Sequence, residues 1–299
     1  MELESVTLLR LMLEQITPLV LTYNEAPNIG RALQQLCWAR EIIVVDSFSN
    51  DETLEIVKGF PQARIVQHEF ESHAAQWNFA LAEPALATEW VLALDADYIL
   101  PDELIAEISA LRPTAETFGY RAHFAYCIDG YRIRSGLYPP VTVLYRRRHA
   151  RYLPDGHAHR LIIDGEVLNL KSPVLHDDRK PLDRWFHSQQ KYMALEADKI
   201  LGTEHSGGSA SERIRRLRLA APFAVLFYCL IWRGGIFDGW PGLFYAFQRM
   251  LAELILSLRL IEHDIKSLQR RKHSTIESGP DESASLLSKS AARKQQSEI

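Results

Sequence analysis

The sequence predicts an α/β protein built on a doubly wound, mostly parallel sheet flanked by helices. Apolar runs alternate with helical patterns through residues 16–112, as they do in such folds. Polar clusters follow three of the apolar runs, at 22–25, 46–51 and 95–97. Ligands of open α/β sheets bind at the carboxyl ends of the strands, so three polar strand ends in one alternating unit indicate a shared crevice.

Composition places the chain among globular proteins. It has 299 residues, of which 47% are hydrophobic and 24% charged, enough for one large core or two smaller ones. The formal net charge of −4 does not suggest nucleic-acid binding. Three scattered cysteines fit neither a disulfide framework nor a zinc site. The first residues are acidic and do not resemble a secretory signal, so we expect a cytoplasmic protein.

Each element has its own signal in the sequence. Helical spacing of apolar residues also predicts a weak helix over 3–13, and Pro101 marks a further helix start. Short strand-like pieces between 116 and 164 continue the sheet, and a long helix is predicted over 182–201. The first strands are predicted at 16–21, 41–45, 63–66 and 91–94, and the helices between them at 28–37, 53–58 and 74–81.

The carboxylates Asp95 and Asp97 directly follow the apolar run at 91–94. A carboxylate pair at a strand end binds a divalent cation that neutralises phosphates, or it supplies an aspartyl nucleophile. The remaining alternative is a cap for the helix that begins near Pro101. The sequence contains neither a Gly-x-Gly-x-x-Gly fingerprint nor a P-loop, so neither of these motifs organises the crevice.

Four motifs in order resemble those of family 2 glycosyltransferases, in particular bacterial enzymes of lipopolysaccharide-core and exopolysaccharide assembly. They are 22–25 (Thr-Tyr-Asn-Glu), 42–47 (Ile-Ile-Val-Val-Asp-Ser), 76–81 (Gln-Trp-Asn-Phe-Ala-Leu) and 94–97 (Leu-Asp-Ala-Asp). The resemblance implies the A-type nucleotide-diphospho-sugar transferase fold. It departs at Phe48, where relatives usually have Gly, at Asn50, where Thr is usual, and at Trp77, where a basic residue is usual.

The resemblance also implies roles for individual residues. Asp46 is expected to contact the nucleoside, and Asp95 and Asp97 to carry Mg²⁺ or Mn²⁺ on the diphosphate. The nucleotide-sugar-binding residues that it implies are Thr22, Tyr23, Glu25, Asp46, Gln76, Asn78 and Asp95.

The catalytic base is predicted in the segment 152–160. Inverting relatives commonly have a His-Glu pair here, which this sequence lacks. His157 and His159 share one face if the segment is a strand, and an imidazole titrates near neutrality, as a general base for a hydroxyl requires. Asp155 is the competing base. The alternative is that these side chains only pair with backbone or carboxylate groups.

The C-terminal part differs in composition from the rest. Arginines at 213, 215, 216 and 218 precede residues 219–232, a charge-free run that is too short for a confident transmembrane helix. Attachment to an anionic membrane surface and packing as core helices both remain open.

The sequence is divided into five parts. They are an N-terminal extension (1–15), a catalytic domain (16–201, with a nucleotide-sugar half at 16–112 and an acceptor half at 113–201), a linker (202–211), a helical region (212–265) and a disordered tail (266–299).

These features together predict a metal-dependent, inverting glycosyltransferase peripheral to the inner face of the cytoplasmic membrane. Its donor is expected to be a UDP-sugar, and its acceptor a lipopolysaccharide, lipid-linked or exopolysaccharide glycan, with no nucleic-acid partner. Two alternatives remain: a membrane-associated nucleotide-sugar-binding scaffold without catalysis, and a phosphohydrolase of the haloacid dehalogenase type.

Overall fold

The structure is a computed structural model of the chain, and it describes residues 12–83, 86–155, 158–202 and 210–277. The side chains of 155, 158, 159, 210, 211 and 271–277 are not among the described parts. Most of the helix predicted over 3–13, and most of the predicted linker, therefore lie outside the described residues. So do the side chains of Asp155, His157 and His159.

The strands run from the N-terminal segment to the middle of the chain. They are β1 (Ile16–Thr22), β2 (Ile42–Asp46), β3 (Ala63–Gln67), β4 (Trp90–Asp95), β5 (Tyr98–Ile99), β6 (Thr117–Ala122), β7 (Phe124–Ile128), β8 (Tyr131–Arg132), β9 (Val141–Arg146), β10 (Ala150–Asp155), β11 (Ala158–Ile163), β12 (Glu166–Asn169) and β13 (Val174–His176).

Helices flank the sheet and then dominate the C-terminal part. They are α1 (Ile29–Gln34), α2 (Thr53–Lys58), α3 (His73–Ala82), α4 (Asp102–Ala110), α5 (Leu182–Gly202), α6 (Ala210–Arg216), α7 (Ala220–Phe227) and α8 (Gly239–Glu277). Short 3-10 turns occupy Arg147–His149 and Gly235–Asp238, and a π-helical turn occupies Tyr228–Trp232.

The main sheet has seven strands in the order β12-β6-β9-β4-β1-β2-β3. β1 lies between β2 and β4 and is parallel to both, and β3 is parallel to β2. β9 is antiparallel to β4 and β6. The predicted mostly parallel sheet with flanking helices is confirmed, and its buried strands β1, β2 and β4 read as continuous apolar runs because both faces are covered.

The parallel registers bring the three polar strand ends together. Thr22 pairs with Asp46 across β1 and β2, and Leu21 pairs with Asp95 across β1 and β4. The crevice predicted from the sequence therefore exists at the carboxyl edge of these strands.

A smaller sheet closes over this edge. Its order is β5-β13-β7-β8, and β13 pairs with β5 so that His176 lies opposite Tyr98. The pairing continues past the strand, because the Asp177 N–H donates to the Asp97 carbonyl at 3.0 Å. A two-residue strand directly after Asp97 thus brings residues 176–178 to the carboxylate motif.

Asn28 links the two halves of this edge through a fully used amide. Its Nδ2 donates to Glu25 Oε2 and to Asp178 Oδ1, both at 2.8 Å. Its Oδ1 accepts from Arg31 Nη2 at 2.8 Å and from the Arg179 N–H at 2.9 Å. Two donors and two acceptor sites are all that an amide side chain offers, so this completely buried group is fully satisfied.

Two sequence-based boundaries are corrected. Asn28 precedes a helix that ends at Gln34 rather than Cys37, and its side chain makes no cap bond because the network above uses it. The segment 266–299 is predicted to be disordered, yet α8 continues to Glu277. An ion pair between Lys266 and Glu262, one helical turn apart at 2.5 Å, supports that continuation.

The C-terminal helices pack on the rest of the fold at two places. Met193, Ala197 and Ile200 of α5 contact Ala252, Leu256 and Leu260 of α8 in one apolar cluster. A second cluster joins Ile133 to Cys229, Tyr245 and Ala246. Arg215 is shared by Glu196 on α5 and Glu253 on α8, at 2.9 and 2.6 Å.

Replacing Asn28 with Asp is expected to lower the free energy of unfolding by about 3 kcal/mol. The substitution removes both donors and leaves a third carboxylate facing Glu25 and Asp178. Urea denaturation followed by circular dichroism measures the change. Asn169→Asp, at an exposed position of β12, is the matched control and should shift stability by less than about 0.5 kcal/mol. Equal stability of the two variants would contradict the importance of this amide.

Candidate functional site

Asp46 lies fully buried at the end of β2 and is held by the loop that follows it. Ser49 donates to its carboxylate through both its N–H and its hydroxyl, and Gln67 Nε2 donates to Oδ2 at 3.2 Å. Beside it, the buried Thr22 hydroxyl has no hydrogen-bond partner among the described residues. The nucleoside contact predicted for Asp46 stays a prediction, but its carboxylate is fixed at the crevice.

The loops after β1 and β2 hold two residues in the left-handed region, Asn24 at φ 54° and Phe48 at φ 59°. Asn24 tolerates this conformation and binds the opposite loop, since its Oδ1 accepts from the Asn50 N–H at 2.7 Å. Phe48 is an unusual residue for it, and glycine is the residue that adopts it without strain. The backbone therefore explains why the resemblance leads one to expect Gly at position 48.

The motif at 76–81 lies within α3, and its Gln76 borders the same crevice. Gln76 Nε2 donates to Ser47 Oγ at 2.8 Å, and its Oε1 is 2.7 Å from His68 Nδ1. Asn78 instead faces the β10–β11 hairpin, where its amide makes two hydrogen bonds of 2.9 Å with the Tyr152 main chain. Asn78 thus positions the hairpin, and the nucleotide contact expected for it stays a prediction.

Asp95 and Asp97 lie at the end of β4, where the second of them is the more deeply buried. Asp97 Oδ2 is 3.5 Å from His176 Nε2, and Asp97 Oδ1 is buried without a hydrogen-bond partner among the described residues. Burial raises the pKa of Asp97, as does the Asp95 charge, while His176 opposes the rise. This arrangement leaves a strongly desolvated carboxylate oxygen that a cation would satisfy.

Aromatic rings enclose His176. The ring centroid of Tyr126 is 4.7 Å from that of the imidazole, with an interplanar angle of 31°. The ring centroid of Tyr138 is 4.9 Å away, with an interplanar angle of 30°. Tyr98, which follows the carboxylate motif, lies at 5.6 Å and its hydroxyl is hydrogen-bonded to that of Tyr138. Packing on these rings fixes the orientation of the imidazole toward Asp97.

A buried ion pair lies beside the carboxylates. Lys180 Nζ is 2.6 Å from Glu25 Oε1 and 3.6 Å from Asp178 Oδ2. Burial raises the pKa of Glu25 to about 7, partly offset by Lys180 and reinforced by Asp97. The pKa of Lys180 is raised, because Glu25, Asp178 and Asp97 outweigh the cost of burying the ammonium group. The Lys180 ammonium group therefore stays charged beside the carboxyl groups of Glu25, Asp97 and Asp178.

The neighbouring loop residues are committed to structural contacts. Asp177 accepts from Arg31 Nη1 at 2.7 Å, from the Gly130 N–H at 2.9 Å and from Arg179 Nε at 3.0 Å. Arg179 and Lys180 are therefore each paired with carboxylates of this chain. Asp178 binds Asn28 before α5 begins at Leu182.

The donor set here fits a divalent cation that prefers oxygen ligands. Among the described residues, no group of three or more His, Cys, Asp or Glu side chains is arranged to hold a metal ion alone. Mg²⁺ is usually bound by one or two carboxylates together with waters and substrate phosphates, so two ligands from the chain suffice. The unpartnered Asp97 Oδ1, with Asp95 two residues before it, meets that requirement.

Most predicted site residues gather at one edge, and the sequence missed three that join them. Thr22, Glu25, Asp46, Gln76, Asp95 and Asp97 line or border the crevice, while the Tyr23 side chain is half exposed. His176, Lys180 and Asn28 complete it. The only sequence signal for His176 and Lys180 was the charged run 176–180. Asp155, His157 and His159 have no described side chains.

Comparison with known proteins identifies the domain. Residues 19–148 match the family described as "Glycosyl transferase family 2". The chain is 26% identical over 256 residues to the "Lipopolysaccharide core biosynthesis glycosyltransferase LpsC" of Rhizobium meliloti, covering 78% of this chain and 89% of that protein. It is 30% identical over 148 residues to an "Uncharacterized glycosyltransferase" of Rickettsia bellii, covering 48% of this chain and about half, 49%, of that relative.

Two solved structures resemble most of the chain. Staphylococcus aureus TarS 1-349 in complex with UDP-GlcNAc covers 85% of this chain and 92% of its own, at 16% identity and a TM-score of 0.40. Glucosyl-3-phosphoglycerate synthase from Mycobacterium tuberculosis, with Mn²⁺ and UDP, covers 67% and 86%, at 16% identity and a TM-score of 0.43. The family match decides against the phosphohydrolase alternative. The match over residues 19–148 and the Rhizobium relative together identify the chain as a glycosyltransferase that contains a domain similar to glycosyl transferase family 2.

Proposed function

We propose that this glycosyltransferase moves a sugar from a UDP-sugar to a hydroxyl of a lipopolysaccharide or lipid-linked glycan. The observation that supports a diphosphate donor most directly is the buried, unpartnered Oδ1 of Asp97 at the crevice. Asp46, held by Ser49 and Gln67, offers a carboxylate to the donors of a base or ribose. The acceptor class follows the printed name of the Rhizobium relative, which aligns over most of its length.

A divalent cation, Mg²⁺ or Mn²⁺, belongs to the proposal. Asp95 and Asp97 would hold the cation. The imidazole Nε2 of His176 lies 3.5 Å from Asp97 Oδ2. Such an ion neutralises the charge that develops on a departing diphosphate. The chain's own part is to orient Asp97 through the Asp177–Asp97 main-chain bond, while His176 and Lys180 partly oppose the burial that raises the pKa of its carboxyl group.

The proposed mechanism is a single inverting displacement. A general base takes the proton of the acceptor hydroxyl while that oxygen attacks the anomeric carbon and the nucleoside diphosphate leaves. We keep Asp155, His157 and His159 as the candidates for this base. The hairpin that carries them is anchored by Asn78, on the same helix whose Gln76 borders the nucleotide crevice.

An exposed aromatic face supports action at a membrane surface. Phe223 and Phe227 of α7 are one turn apart and 65% and 61% exposed, and Trp240 of α8 is 84% exposed. Phe244 and Phe247 continue the face of Trp240 at helical spacing. Large exposed apolar patches mark interaction sites, and an aromatic helix face suits the interface of a bilayer.

The arginines near α6 contribute less to such a surface than their sequence suggests. Arg215 is bound between Glu196 and Glu253, and Arg218 pairs with Asp264 at 2.8 Å. Their charges therefore stabilise helix packing, which corrects the interpretation of all four as a basic membrane patch. Along the described residues no helix is both long and apolar enough to cross a bilayer alone, although Ala220–Trp232 with Gly235–Arg270, bent by 68°, passes that test as a pair.

Asp97→Asn is expected to abolish metal-dependent donor binding. The measurement is the melting temperature in the presence of a panel of nucleotide sugars, each with and without Mn²⁺. For wild type, one donor should raise the melting temperature, and only when Mn²⁺ is present. At a hundredfold excess of donor over Kd, the gain in stability is about 2.7 kcal/mol. Asp102→Asn, an exposed carboxylate on α4, is the matched control and should respond like the wild type. A full metal-dependent response in the Asp97 variant would refute the assignment.

Glu25→Gln is expected to flatten the pH dependence of stability. The folded state holds the Glu25 proton up to about pH 7, whereas the ordinary pKa of a glutamate is 4.5, so Glu25 contributes stability below about pH 4.5 that is lost as pH rises through 7. Urea denaturation between pH 4.5 and 8 should show the stability difference, wild type minus variant, falling over that window. Glu103→Gln, exposed on α4, should give a constant difference. A constant difference for Glu25→Gln as well would contradict the raised pKa.

Phe237, just before α8, is 76% exposed and lies three positions before Trp240 in the chain. Replacing Phe237 and Trp240 with Ser is expected to weaken binding to bilayers at least about tenfold. Each large side chain that enters the interface contributes roughly 1.5–3 kcal/mol of burial. Sedimentation with phosphatidylglycerol–phosphatidylcholine vesicles measures the partition. Leu168→Ser, an exposed apolar side chain at the far sheet edge, is the control and should leave binding unchanged. Unchanged partition of the double variant would argue that the face serves another contact.

A further inference from the structure

A cavity of about 510 Å³ lies between the smaller sheet and the turn that joins α7 to α8. Its wall includes His123 and Tyr126 from the sheet, Arg132 and Arg134 from β8 and the loop after it, and Arg233 and Asp238 from the turn. None of these residues belongs to the crevice described above. The lining includes three arginines and one aspartate, so the wall carries a net positive charge within a chain whose formal net charge is −4.

The basic groups are held in place by the chain itself. Asp238 accepts from the Arg134 N–H at 2.8 Å and lies 3.6 Å from Arg134 Nε. Arg233 Nη2 donates to the carbonyls of Arg134 and Gly136, at 3.3 and 3.1 Å. Gly136 is required here, because a Cβ at this position would come within 2.6 Å of Tyr126 Cβ. Arg132 makes no ion pair with any described carboxylate.

The cavity is one ring away from the carboxylate motif. Tyr126 lies in its wall and packs on His176 at 4.7 Å between ring centroids, and His176 Nε2 is 3.5 Å from Asp97 Oδ2. A molecule in the cavity would therefore lie beside the position where the donor's diphosphate is proposed to bind. The acceptor is the second substrate that this location fits.

The cavity also adjoins the apolar face. Trp232 and Phe237 are each 76% exposed, and they are the chain neighbours of Arg233 and Asp238. A ligand with an anionic group in the cavity could thus extend an apolar part over these rings. Guanidinium groups recognise phosphate and carboxylate through paired hydrogen bonds, which defines the chemistry that the wall selects.

We propose that this cavity binds an anionic group, phosphate or carboxylate, of the sugar acceptor. The inference rests on the proposed function, since an acceptor exists only if the chain transfers a sugar. It assigns Arg132 as the principal binding residue, Arg134 and Arg233 as supporting cations, and Gly136 as the residue that permits the close approach of the loop to Tyr126.

The test is equilibrium binding of simple probes to the full chain and its variants. Glucose 6-phosphate and glucuronate present the two anions, and glucose is the neutral probe. Wild type should bind both anionic probes roughly tenfold or more tightly than glucose, and Arg132→Ala should remove about tenfold of that preference. Arg132→Glu should remove it entirely. Arg148→Ala, an exposed arginine beyond the opposite end of β4, is the control and should bind like wild type.

Two further measurements separate the possible failures. Donor-induced stabilisation with Mn²⁺ should be the same in wild type and Arg132→Ala, because Arg132 lies outside the donor crevice. If the donor stabilises wild type but the Arg132 and Arg148 variants bind the probes equally, the cavity assignment is refuted and the proposed function stands. If no donor stabilises wild type, the proposed function fails and the acceptor assignment with it.

Vesicles of phosphatidylcholine with or without phosphatidate then distinguish a lipid phosphate from a soluble one. Arg132-dependent binding of phosphatidate supports a lipid-linked acceptor.

Discussion

The main-chain hydrogen bond from Asp177 to Asp97 is the contact on which the site depends. It extends the pairing of β5 with β13 beyond the strands and brings His176 to the carboxylates. Asn28 makes the same connection through side chains, since it binds Glu25 on one side and Asp178 on the other. These two links orient Glu25, Asp178 and His176, so residues 16–112 alone do not complete the site.

The sequence predicted the part of the site that is local along the chain. Strand ends, helix starts and the carboxylate pair follow from short patterns, and parallel pairing necessarily places Thr22, Asp46 and Asp95 on one edge. His176 and Lys180 could not be placed in this way, because they reach the edge through the smaller sheet. Consecutive residues on an extended segment point in different directions, and this is what allows His176, Asp177 and Asp178 to have three separate partners.

The arginines of the C-terminal region show the opposite limit of sequence patterns. Four basic residues beside an apolar run indicate a membrane-facing patch, but burial of Glu196 and Glu253 on two other helices demands a counter-charge, and Arg215 supplies it. Burying a carboxylate without a counter-charge is energetically unfavourable. The two buried glutamates therefore determine the orientation of Arg215. The aromatic side chains have no such partner inside the fold. Their exposure, rather than the basic cluster, is what distinguishes this region.

The link between Asn28 and Asp178 spans 150 positions of the chain, which has a consequence for folding. Closing so long a loop is entropically unfavourable until the intervening strands have formed, and contacts of high sequence separation form slowly. During synthesis the first strands and Asp97 leave the ribosome well before residues 176–180. The carboxyl groups of Glu25 and Asp97 are therefore made before their partners Lys180 and His176. The Asn28–Asp178 contact therefore cannot form until residues 176–180 are available, so we expect this edge of the sheet to assemble late.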